Sequence, residues 1–151
     1  GAVVYRSTEE LLSLVESENI ELDPVELSSG ILGFYLRHPR LERPCIGIRR
    51  DIYERRDREF RTVLAEELFH HLTATGNSLR IVTYGDYVLT RREEYRARRA
   101  AADYMCPLPL VRWLAKRQFT VEDMADYFWV RRELVLIQWQ RLLTEMVQKT
   151  G

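Results

Sequence analysis

The sequence predicts an α+β domain, with a small sheet in the N-terminal half and a mostly helical C-terminal half. Three observations carry that reading. Short apolar runs bounded by prolines fall early, and from about Asp57 onward the apolar spacing turns helical. Seven Gly and five Pro among 151 residues are too few for a linker-rich or disordered chain. This length suits one domain, 1–151, which buries roughly 70% of its unfolded surface and needs no metal or disulfide to stay folded. A metal site would therefore serve chemistry.

Ser7 and Glu10 form a capping box that opens a helix whose stripe is Leu11, Leu12, Leu14 and Val15, ending about Ser17. Asn19 and Asp23-Pro24 then punctuate the chain as a loop. Gly30 to Leu36 and Cys45 to Ile48 are short and apolar, and Pro39 and Pro44 lie between them, so a hairpin is expected there. A helix with Phe60, Val63, Leu64 and Leu68 apolar follows, stopping before Gly76-Asn77. A second long helix should run from about Arg91 to Met105, ended by Pro107 and Pro109. Leu108 to Gln118 and Val121 to Met146 read as further helices.

Composition excludes several classes. No apolar run exceeds four residues, as at Tyr127 to Val130, so a membrane-spanning helix of about 20 residues is not encoded. With no basic and apolar leader at the start, a cytoplasmic location without membrane contact is expected. Cys45 and Cys106 are far apart and form no C-x-x-C, which predicts two quiet buried thiols rather than a disulfide or thiolate zinc site. Basic and acidic residues tie at 23 each, removing the global electrostatic case for nucleic acid. Arg49 to Arg61 interleaves arginines with Asp51, Glu54, Asp57 and Glu59, the pattern of a self-paired surface.

The informative stretch is Leu64-Ala65-Glu66-Glu67-Leu68-Phe69-His70-His71. Glu66 and His70 are four apart, so on a helix both emerge from one face and can meet one cation. Glu67 can then reach a water at that cation and take its proton, the logic of H-E-x-x-H with Glu in the first position. The other register, Glu67 with His71, puts Leu68 where the base must stand. E-x-x-x-H also suits an ordinary amphipathic helix, so a third ligand is needed. Glu94 is the candidate, at the head of a helix whose Ala97, Ala100, Ala101 and Ala102 permit close packing.

These residues resemble the ImmA/IrrE metallo-endopeptidases of bacteria and their mobile elements. The resemblance rests on Gly33-Phe34-Tyr35 for a G-x-Y element and Leu64 to His70 for L-A-H-E-L-G-H. Glu94, Ala97, Ala101, Met105 and Pro107 fit E-x-x-A-x-x-x-A-x-x-L-M-P. It implies a zincin-like fold in which Glu67 is the general base and Glu66, His70 and Glu94 hold Zn2+, in an E-E-x-x-H variant of the motif. It also implies a substrate: a helix-turn-helix transcriptional repressor of a phage, mobile element or stress regulon. A Glu/His/Glu set is harder than His/His/Glu, admits Mn2+ or Fe2+, and acidifies a bound water less. Phe69 stands at the family's Gly and is expected to narrow the cleft. His71 is expected to pack, and Tyr35, His38 and Tyr95 are the candidates for stabilising an oxyanion.

A helix-turn-helix-like segment spans about 119–146, with Ala125, Val130 and Val135 at its apolar spacings and Thr120 as a cap. The turn position that favours Gly holds Trp129. With zero net charge, the segment is expected to pack within the domain and not to bind DNA directly. A non-catalytic regulator that binds a repressor or DNA is the alternative from another class.

Overall fold

A computed structural model describes residues 4–28, 30–74 and 91–150. The architecture is α+β. The helices are α1 (Thr8–Ser17), α2 (Arg50–Arg55), α3 (Arg58–Thr73), α4 (Arg91–Met105), α5 (Leu108–Ala115), α6 (Val121–Phe128) and α7 (Arg132–Thr150). The strands are β1 (Glu21–Val25), β2 (Gly33–Leu36) and β3 (Cys45–Arg49), in the order β1-β3-β2.

The expected hairpin is present, with β2 antiparallel to β3 and Tyr35 opposite Ile46. β1 is a correction. Asp23-Pro24 lies inside a strand parallel to β3, Pro24 opposite Ile48. Proline is tolerated because β1 is an edge strand among the described residues, where one backbone N–H need not enter a ladder. α2 is a second addition, a short helix leaving β3 directly and closing on Arg56 in the left-handed region at φ 54°.

Side-chain caps open α1, α3 and α6. Ser7 Oγ accepts from the Glu10 N–H, but the Glu10 carboxylate takes an N–H from Arg6, so only half of the expected capping box forms. Asp57 accepts from the N–H groups of Glu59 and Phe60 and opens α3. α3 ends at Thr73; Gly76-Asn77 lie outside the described residues. α4 has the expected bounds.

α3 is the central element. Its Phe60, Val63, Leu64 and Leu68 are buried as the spacing predicts, and it touches β2, β3, α1, α2 and α4. Ala97, Ala101 and Ala102 of α4 are fully buried, the small side chains that let a helix pack closely. Gly33 has a related reason to be glycine: a Cβ there would lie 2.9 Å from the Gly47 carbonyl oxygen and 2.9 Å from Val63 Cγ1. β2 is thereby pressed onto α3 one turn from Glu67.

The Arg49 to Arg61 stretch resolves into the expected ion pairs, among them Arg49 with Asp51, Arg50 with Glu26, Arg55 with Asp57 and Arg58 with Asp126. Arg61 departs from the pattern, being 0% exposed. It donates to the carbonyls of Arg6, Phe128 and Trp129 and to the Thr8 hydroxyl. Trp129 itself occupies the left-handed turn between α6 and α7, at φ 53° and ψ 55°. The strain of a bulky residue there is offset by that guanidinium, which also lies 5.1 Å from the centre of its ring. Cys106 is buried as expected, whereas Cys45 is half-buried on β3.

Candidate active site

The four predicted site residues come together where α3 faces the start of α4. His70 is 3% exposed, Glu67 7% and Glu94 8%, a rare degree of burial for such groups. His70 Nε2 stands 2.9 Å from Glu94 Oε2, and Arg98 Nε stands 3.1 Å from Glu94 Oε1. The same Arg98 Nε is 3.9 Å from Glu66 Oε2, reaching from α4 across to α3. Glu67 Oε2 and His70 Nδ1 are buried with no hydrogen-bond partner among the described residues.

A pocket of about 470 Å³ opens over this cluster. Gly33, Glu66, Glu67, Glu94 and Arg98 line it, and Arg131 closes it from the turn before α7. The head of α7 therefore forms one wall of the pocket, with Glu133, Ile137 and Gln140 lining it.

Burial dominates the electrostatics. It pushes the Glu67 carboxyl up to about 8, against a smaller opposing pull from His70. Glu66 is raised for the same reason, with Arg98 opposing. For His70, burial favours the neutral ring, but the hydrogen bond to Glu94 and the charges of Glu67, Glu94 and Glu66 outweigh it, and its pKa is raised.

As placed, no three His, Cys, Asp or Glu among the described residues form a group that could hold a metal ion. Glu94 is shared between His70 and Arg98, and Glu66 lies toward Arg98. The donor chemistry nonetheless suits a divalent cation. His70 and Glu94 offer an imidazole nitrogen and a carboxylate oxygen, donor types that bind divalent ions, here joined to each other by a 2.9 Å hydrogen bond. An unpartnered buried carboxylate oxygen on Glu67 is a second sign of a site built for something charged.

The remaining candidates separate cleanly. His71 Nδ1 is 2.8 Å from the Tyr35 hydroxyl and its Nε2 is 3.4 Å from Glu18, so it packs as expected. Tyr35 is fully buried in that pair. His38 accepts the Arg40 N–H in the β2–β3 connection and lines a different hollow. Tyr95 does line the pocket, half exposed. Phe69 stacks near Tyr104, with ring centres 5.5 Å apart, and is not a pocket wall, so the expected narrowing is absent.

Sequence reasoning misses Arg98 altogether, and it places Arg131 only with Arg132 at the head of the last helix, not in a pocket. Arg98 had a signal, the four-residue spacing from Glu94 that pairs opposite charges on a helix. Arg131 had none, because its place depends on how α7 folds back. No family model, curated protein or solved structure matches this chain.

Proposed function

We propose that this protein is a metal-dependent endopeptidase that cleaves a helix-turn-helix transcriptional repressor of a phage, mobile element or stress regulon. The observation that carries the reading is Glu67: a buried carboxyl with one oxygen unpartnered, lining a pocket beside Glu66 and Glu94, with His70 bonded to Glu94. Glu66, His70 and Glu94 would hold Zn2+, or Mn2+ or Fe2+, which when bound supplies Lewis-acid polarisation of a scissile carbonyl. Glu67 takes the proton of the attacking water and returns it to the leaving amine. The low polarity that burial gives its surroundings keeps its basicity far above that of an exposed carboxylate. The turn before α7 and the first turn of α7 offer Arg131 and Glu133 as polar contacts for a peptide.

The ion-pair chain from His70 through Glu94 and Arg98 to Glu66 favours a second reading, a non-catalytic regulator that keeps the pocket to bind a repressor. One experiment separates the two. Protein purified without added metal is assayed for metal content and for cleavage of the repressor encoded beside it, together with Glu67→Gln and Glu94→Ala. The peptidase reading expects about one divalent ion per chain, metal retained but cleavage lost in Glu67→Gln, and metal lost in Glu94→Ala. A repressor that is bound and left intact by metal-loaded protein supports the regulator instead.

A further inference from the structure

We infer that Arg98 is a built-in competitor for the metal: its guanidinium holds the position between Glu66 and Glu94 that a divalent cation would take. The inference rests on the metal-site reading above and names what opposes loading. Arg98 sits on α4 one turn after Glu94, yet its Nε addresses two carboxylates from different helices, 3.1 Å from Glu94 and 3.9 Å from Glu66. That nitrogen is itself out of contact with water, although the side chain as a whole is 41% exposed. Part of the Arg98 side chain therefore reaches solvent while its Nε stays inside the cluster.

Two roles are open to a cation beside two would-be ligands. A positioning residue holds the oxygen that the metal does not use and strengthens binding. A competitor bridges separate ligands, satisfying the charge the metal would satisfy, and its own charge repels the ion at short range. The geometry points to the second. The contact with Glu94 Oε1 alone would suit positioning, but the same nitrogen also lies 3.9 Å from Glu66 Oε2, the would-be ligand on the opposite helix, and so stands between two ligands that loading must bring to one ion. Loading would require that guanidinium to swing outward. Glu67 stays behind it with a buried oxygen unpartnered, so the pocket still presents an acceptor once the arginine moves.

The test is Zn2+ affinity, read by competition with a chromophoric chelator, on the full chain with and without Arg98→Met and Arg98→Lys. Methionine keeps the apolar stem without the charge; lysine keeps the charge without the fork. A competitor predicts that Arg98→Met binds Zn2+ at least ten-fold more tightly than wild type, with Arg98→Lys nearer wild type. The shift in thermal midpoint on adding Zn2+ should be larger for Arg98→Met than for wild type, a second readout on the same samples. Equal or weaker Zn2+ binding by Arg98→Met overturns the competitor role and makes Arg98 a positioning residue. If neither wild type nor Arg98→Met binds Zn2+, the metal-site reading fails and takes this inference with it.

Discussion

At Glu67 a single carboxyl couples site chemistry to stability. Its ordinary value is 4.5 and burial lifts it to about 8 in the folded chain, so the folded state holds the proton more tightly than the unfolded one. The stabilisation that proton brings is complete below about 4.5 and is lost as pH rises through about 8. In chelator, the stability difference between Glu67→Gln and wild type should move in favour of the variant by about 1–3 kcal/mol from pH 5 to pH 9. Denaturant unfolding at both pH values measures it; parallel profiles would show that Glu67 is not confined as described. The thiols give a simpler check. Cys106 is buried and its thiol is pushed up to about 12, so a thiol reagent at pH 8 should modify Cys45 in the native protein and Cys106 only after unfolding.

Elements here owe their positions to individual contacts that differ in how visible they are in a sequence. Local signals served well: the turn to helical spacing at about Asp57, with Phe60, Val63, Leu64 and Leu68 apolar, placed α3, and Pro107 marked the end of α4. The same spacing brings His70 and Glu94 within 2.9 Å of each other, whereas Glu66 lies toward Arg98. Contacts between distant parts were not legible. β1 is a strand only because β3 offers it an edge, and Asp23-Pro24 reads locally as a turn. Arg61 looks like one more surface arginine until the turn after α6 is folded onto it, 68 residues away for Trp129. Arg61→Ala should cost about 2–5 kcal/mol, since a fully buried side chain is truncated and one buried and two part-buried carbonyls and a hydroxyl lose their donor, and Arg61→Lys should rescue little of it. Gly33→Ala should cost about 1–3 kcal/mol, because its Cβ meets the Gly47 carbonyl oxygen and Val63 at 2.9 Å each. Thermal or denaturant melts test both; a Gly33→Ala protein as stable as wild type would mean that β2 can lift from α3 freely.

For the whole molecule, charge balance and the packing of the C-terminal segment point the same way. Arg131 pairs with Glu133 and Arg132 with Glu122, so the head of α7 carries its own counter-charges instead of a bare basic stripe. Binding of operator DNA by this chain alone should be weaker than about micromolar at physiological salt, measured by titration of labelled duplex. A tight, sequence-selective complex lost on changing Arg131 and Arg132 would reverse the assignment of α7 to the pocket. No described helix is long and apolar enough to cross a membrane.

The parallel register of β1 on β3 also orders events in time. β2 and β3 are chain neighbours and can zip as a hairpin, a microsecond event in isolated peptides, while β1 must wait for β3 to be presented before it has anything to pair with. Leu22 on β1 would then gain its contacts after the rate-limiting step, and Ile46 on β3 before it. Truncating Leu22 should therefore speed unfolding and leave refolding nearly untouched, whereas truncating Ile46 should slow refolding. The strand hidden by a proline in the sequence would be the last to arrive and the first to leave.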